Sequence, residues 1–363
     1  MSNIDWSLIT ETIRAERCVL FLGPGAMVTQ NQKTFWTEMV EELKIGDGKD
    51  IEYFEHDKLF MYKDPIQRTR TYFKIKAFYR EQTERLQKDL FDKLSRIKFS
   101  LIVSISPDTF LTDMMKAADI PHQFDFYNKT VNPKPIKAPT SNEPLIYNLF
   151  GSIEEEQSLI LTHNDLYDFL FAILGDHRLP DQLQNSLQNA ANYIFLGFNF
   201  DKWYMQLLLR LLNLHDEKYS FDRYASNPQL ADQAKTFFQQ QFRINFVEDN
   251  LAGFVNTLYE KCQEGGVVRE EEDTNEVPID QRIEKLLVDE RYEDAMGLMN
   301  GFFAEKGEED LSGDILLLQS RYKRLQRKIT QEVINQEDAN VESQKINLAL
   351  LEINKEVKDL QTA

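Results

Sequence analysis

Five apolar residues in succession, Cys18-Val19-Leu20-Phe21-Leu22, run straight into Gly23-Pro24-Gly25-Ala26. No apolar–polar alternation marks this run, so it reads as a strand buried on both faces that stops at a tight loop. Strands of that kind belong to parallel sheets flanked by helices. A later run, Tyr193-Ile194-Phe195-Leu196 before Gly197-Phe198, repeats the pattern. In open α/β sheets ligands gather at the carboxyl ends of such strands, where backbone N–H groups can meet a phosphate. The two glycine loops are therefore the first places to look for function.

Around these runs the chain alternates helical and strand-like segments. Trp6, Ile9 and Ile13 share one face of a helix from Asp5 to Arg17, and Thr34 can cap a helix carrying Phe35, Met39, Val40 and Leu43. Residues 50–95 are dense in aromatics such as Tyr53, Phe60, Tyr72 and Phe78, and read as packed helices. Strands are expected at Ser100 to Ile105, Leu145 to Phe150, Ser158 to Thr162 and Arg243 to Val247, with a proline-rich loop over 128–144. Asn164 or Asp165 is expected to cap the next helix. The alternation predicts an α/β domain with a mainly parallel, Rossmann-like sheet over residues 1–262. Residues 263–277, with Gly265-Gly266 and the run Arg269-Glu270-Glu271-Glu272-Asp273, read as an acidic linker. From 278 to 363 the stripes of Ile283/Leu286, Ala295/Met299/Phe302, Ile315/Leu318/Tyr322/Leu325 and Ile346/Leu350/Val357 predict a small all-α bundle.

Charge narrows the partners. A formal net charge of −18 disfavours nucleic acid and anionic membrane, which both reward clustered Lys and Arg. The 2 cysteines cannot build a disulfide framework or a Cys-rich zinc site, and Cys18 reads as a small buried hydrophobe. His56, His122, His177 and His215 are scattered and match no metal-ligand spacing, so no metal is expected. No apolar stretch of membrane-spanning length and no signal peptide is apparent, which predicts a cytoplasmic protein.

Four strand ends carry a resemblance: Leu22-Gly23-Pro24-Gly25-Ala26, Ser104-Ile105-Ser106-Pro107-Asp108, Leu149-Phe150-Gly151-Ser152 and Gly197-Phe198-Asn199-Phe200-Asp201. In order and spacing they resemble the sirtuin-like domains of bacterial immune proteins, a family that binds NAD and whose active members hydrolyse it. The resemblance implies NAD or an NAD-derived nucleotide as ligand, with Gly23, Gly25, Ala26, Asp108, Gly151, Ser152, Gly197 and Asn199 at its binding positions. It also implies degeneracy. Ser106 stands where the family has an asparagine, and Phe150 where it has the basic histidine. Phenylalanine has no lone pair to take a proton. Pro24 removes one backbone donor from the first loop. His163 is the candidate substitute base, weighed against a partly exposed histidine at a helix start, and Asp108 is expected to brace its loop.

Residues 280–360 resemble the helical effector-associated domains of bacterial conflict systems, through Leu316-Leu317-Leu318-Gln319-Ser320-Arg321-Tyr322-Lys323-Arg324-Leu325 and Lys345-Ile346-Asn347-Leu348-Ala349-Leu350. That resemblance implies an adaptor pairing with a like domain on an effector or sensor, such as a caspase-like protease or an NTPase. Arg321, Lys323, Arg324, Arg327 and Lys328 form either a docking face or a solvated one. The leading expectation is a non-catalytic sensor or scaffold of an anti-phage system, with self-association as a further partner reading. The alternative is an NAD hydrolase that depletes cellular NAD. An ordinary metabolic α/β enzyme ranks third, because a full Gly-x-Gly-x-x-Gly fingerprint with a following acidic residue is lacking.

Overall fold

In the computed structural model the first apolar run is strand β1 (Cys18–Leu22), buried along its whole length. Its side chains alternate between two cores. Cys18, Leu20 and Leu22 enter one, and Val19 and Phe21 the other. The remaining strands are β2 (Ile51–Phe54), β3 (Leu59–Tyr62), β4 (Leu101–Ser104), β5 (Gln123–Phe126), β6 (Leu145–Asn148), β7 (Asn192–Leu196), β8 (Arg223–Ser226) and β9 (Ile244–Val247). Seven of them make one sheet in the order β5-β6-β4-β1-β7-β8-β9. Every neighbouring pair is parallel. The chain leaves β1 towards β4 on one side and returns as β7 on the other, so the crevice beyond β1 is the switch point of a Rossmann-like fold. Phe21 and Phe195 are register partners and stack at 4.9 Å.

The structure describes residues 4–362, apart from 47, 176–177, 215–222, 228–229, 270–277, 289–290 and 331–335, with the side chains of 309, 327, 329, 330, 336, 337 and 362 also outside the description. The chain divides into two compact units, Met1–Arg269 and Glu270–Ala363.

Several local expectations are corrected. Residues 50–95 are not all helical: β2 and β3 form an antiparallel hairpin with Ile51 opposite Tyr62, followed by the helices Pro65–Glu81 and Lys88–Arg96. Lys58 turns the hairpin in the left-handed region, at φ 57°. Residues 158–162 are not a sheet strand. Glu156–Ser158 is a 3-10 turn, and the segment's links run to the hairpin, where Phe60 N donates to Leu161 O at 2.7 Å. The next helix, His163–Leu174, is capped by Thr162, not by Asn164 or Asp165. Thr162 Oγ1 accepts from Asp165 N, and the Asp165 carboxylate accepts from Thr162 N in return, a capping box. Strands β5 and β8 were not expected.

Of the linker expected over residues 263–277, residues 263–269 pack against the α/β unit. Val267 is buried and its N–H donates to Cys262 O. Val268 bridges to Ile97, and the Arg269 guanidinium donates to the carbonyls of Ser95, Ile97 and Ser141. Burial of an apolar side chain and three charge-assisted bonds tie this stretch to the α/β unit. Residues 270–277 of the expected linker lie outside the described residues.

The second unit holds the helices Ile279–Val288, Tyr292–Lys306, Glu309–Thr330 and Gln336–Thr362. Ile283, Met296, Met299, Phe303, Ile315, Ile346, Leu350 and Val357 meet in its core. Leu318 and Tyr322 are only half-buried. No described helix is long and apolar enough to cross a membrane.

Candidate functional site

The carboxyl ends of β1, β4, β6 and β7 bring most of the sequence-selected residues together. After β1, Pro24–Ala26 forms a 3-10 turn. Its amides are engaged within the protein: Gly23 N donates to Leu196 O, Gly25 N to Gly197 O, Ala26 N to Gly23 O and Met27 N to Pro24 O. The glycines are required by close approach of two backbones. A Cβ on Gly23 would stand 2.3 Å from Gly197 O, and one on Gly197 would stand 2.0 Å from Ala26 N. Gly197 also has φ +69°, a region L side chains rarely adopt. These three glycines interlock the loops after β1 and β7.

Beyond β4 the chain enters a small recess lined by Gly23, Ala26, Met27, Ser104, Ser106, Asp108, Thr112 and Asn148, among others. Ser106 is buried, its N–H donating to Ser104 Oγ at 3.0 Å and its hydroxyl lying 3.4 Å from Met27 Sδ. Asp108 braces the loop as expected: Oδ1 accepts from Phe110 N at 3.0 Å, and its carbonyl accepts from Asn148 Nδ2 at 2.8 Å. Burial pushes the Asp108 carboxyl above the usual carboxylate range, against the pull of Ser106 and the backbone. Asn148 Oδ1 and Thr112 Oγ1 are buried here without a partner among the described residues.

A larger cleft adjoins this recess, lined by Pro24, Trp36, Asp57, Lys58, Tyr79, Ser106, Phe150, Asn199 and Tyr204 with aliphatic side chains between them. Its walls are mainly apolar. Phe150, at the end of β6, packs edge-to-face on Phe169 at 5.2 Å and lies 6.1 Å from Tyr204. Gly151 turns at φ +86°, where a Cβ would strike Ser158 O at 2.3 Å, and Ser152 N donates to Ser158 Oγ. Gly151 and Ser152 therefore shape the loop rather than line either cavity.

His163 is the first residue of its helix, and its Nε2 lies 2.9 Å from Asp57 Oδ2. Its ring also meets Phe54 edge-on at 5.1 Å. Asp57 lines the cleft and His163 does not. The histidine thus fastens the hairpin to the helix start. Lys58 is pulled below its ordinary value by burial and by neighbouring Lys202. Asp57, Lys58, Trp36, Tyr79 and Tyr204 were missed from sequence because they come from a hairpin and helices far apart along the chain. Among the described residues no group of acidic, His and Cys side chains could hold a metal.

NAD is the cofactor that the resemblance of the four strand ends implies, and the first loop turns its amides away from a phosphate. The N–H groups of Gly23, Gly25, Ala26 and Met27 already donate within the protein, and Pro24 has none.

Residues 100–244 match the family model of the SIR2-like domain. Residues 278–358 match that of effector-associated domain 11. Two regions thus follow one another along the chain, one similar to the SIR2-like domain and a C-terminal one similar to the effector-associated domain. No curated protein matches the chain. The SIR2-like match runs from the lead-in to β4 to the first residue of β9 and leaves out the first glycine loop. The pairing of the two domains points to a conflict or defence system, and the effector-associated domain to a protein partner.

Proposed function

We propose that this chain is a non-catalytic sensor or scaffold of a bacterial anti-phage system, in which the effector-associated domain recruits an effector. One observation carries the reading. The side chain at the β6 end, Phe150, is an apolar wall of the cleft packed edge-to-face on Phe169, where a hydrolase of this kind needs a base. The engaged amides of the first loop support it. His163, the substitute base, is tied to Asp57 and stands off the cleft lining.

Recruitment falls to the helical unit, through the basic residues that the fold leaves exposed. Arg321 is paired across two helices with Glu342 at 2.8 Å, and its bond and that of Lys345 hold the Glu342 carboxyl down at about 2. The side chain of Arg327 lies outside the described residues. Lys323, Arg324 and Lys328 are exposed. An adaptor with an acidic surface suits Arg324 and Lys328, which share a face at four-residue spacing.

The test is capture of the neighbouring gene's product by the full chain. Arg324→Glu with Lys328→Glu is expected to weaken capture at least tenfold at low salt and less at high salt, where screening is strong, with helical content unchanged by circular dichroism. Full capture by the double variant at low salt contradicts this docking face.

A further inference from the structure

The helices His163–Leu174 and Trp203–Leu211 turn their inner faces to the core, with Phe169, Leu170, Met205 and Leu208 buried. Their outer faces are apolar as well. Tyr167, Phe171 and Leu174, at four- and three-residue spacing, are 44%, 73% and 63% exposed. On the second helix Trp203 and Leu207 are 40% and 45% exposed, and Tyr167 and Trp203 join the two stripes with ring centroids 6.0 Å apart. Scattered exposed apolar residues are ordinary, but five large ones in one patch mark an interaction surface.

We propose that this patch is where two copies of the chain associate, through a two-fold interface of the α/β unit. Two observations favour a second copy as the occupant. The patch carries one exposed charge of each sign on its two helices, Asp168 on the first and Arg210 on the second. A two-fold interface must be self-complementary, and this pair meets that condition when Asp168 of one copy faces Arg210 of the other. Elsewhere the net charge of −18 makes copies repel, so association is favoured where charge is sparse and balanced. The area also suits: the five exposed side chains amount to roughly 500–600 Å² per copy, near the ~800 Å² per partner of a standard interface once the rim is added. Inner-face residues of the same helices, Leu166, Tyr204 and Met205, line the cleft, so the interface lies directly behind the candidate site.

Sedimentation velocity on the full chain, from about 1 to 100 µM, tests the proposal. The wild-type chain is expected to sediment as a dimer in the upper part of that range. Phe171→Glu, at the most exposed position, is expected to sediment as a monomer with an unchanged circular dichroism spectrum. Asp168→Arg or Arg210→Asp alone is expected to raise the dissociation constant about tenfold, because two-fold symmetry counts each pair twice, and the double variant to recover it. A wild-type chain that stays monomeric, an oligomer that Phe171→Glu leaves intact, or a double variant that fails to recover overturns the proposal. The first two outcomes would leave the patch to a different protein or the oligomer to the helical unit.

Discussion

Two carboxylates in this fold, the buried Asp165 and the half-buried Asp108, obey opposite signs of the same linkage. Asp165 is drawn up by burial but held below its ordinary value by Lys129 and Arg68, each at 3.3 Å, by the Thr162 hydroxyl and by Leu161 N. Its contribution to stability is fully present above the unfolded value and lost as pH falls through the folded one. Asp108, raised by burial, contributes fully below the unfolded value, and loses that contribution as pH rises through the folded one. Asp165→Asn is therefore expected to cost about 1–3 kcal/mol at pH 7, since it takes from the half-buried Lys129 its carboxylate and from Arg68 one of two, with the deficit shrinking below about pH 4. Asp108→Asn keeps an acceptor for Phe110 N and is expected to hold or raise stability at pH 7. Urea titrations of both variants at neutral and acidic pH check the pair of signs, and a destabilised Asp108→Asn at pH 7 would contradict the assignment. Of these residues, the sequence made Asp108 legible as a loop brace. It left the Thr162–Asp165 box to be found, although Thr-x-x-Asp ahead of an apolar helix is a readable signal.

At the scale of elements, the strands that could be read were those with apolar runs, β1, β4, β6, β7 and β9, and β1 and β7 were plainest because burial on both faces leaves a continuous apolar pattern. Strand β8 escaped because it begins with Arg223, a buried cation whose guanidinium donates to the carbonyls of Leu214 and Phe242 and lies over the Tyr193 ring. Tertiary contacts, invisible in the sequence, satisfy that charge. The hairpin of β2 and β3 was hidden by aromatics that suit either a strand or a helix face. The role of the glycines was half legible. Tight loops were evident, but the carbonyl of Gly197 filling the space beside Gly23 and Gly25 was not. Gly197→Ala is expected to cost more than about 3 kcal/mol, from the positive φ and the clash with Ala26 N together. Gly266→Ala, also at positive φ but with open space around it, is expected to cost about 1 kcal/mol. Thermal melts of the two variants compare them, and equal costs would mean that the loops do not interlock.

At the scale of the whole molecule, an α/β unit with a SIR2-like match and a helical unit with an effector-associated match follow one another in a single chain. Composition anticipated this order, since the acidic run without apolar residues separates two differently patterned segments. Residues 263–269, assigned to that run from the sequence, pack on the α/β unit because Val267 and Arg269 are held by partners far along the chain. We propose that the strand ends of the first unit do not support NAD cleavage. Phe150 cannot take a proton, and the first loop has its amides engaged. The direct measurement is release of nicotinamide from NAD by the purified full chain, followed with and without the neighbouring gene's product. The account predicts release no faster than in buffer under both conditions, and no gain from Phe150→His with Ser106→Asn while the first loop is unchanged. Steady release by the wild-type chain that is lost in His163→Ala would contradict it and restore the hydrolase reading.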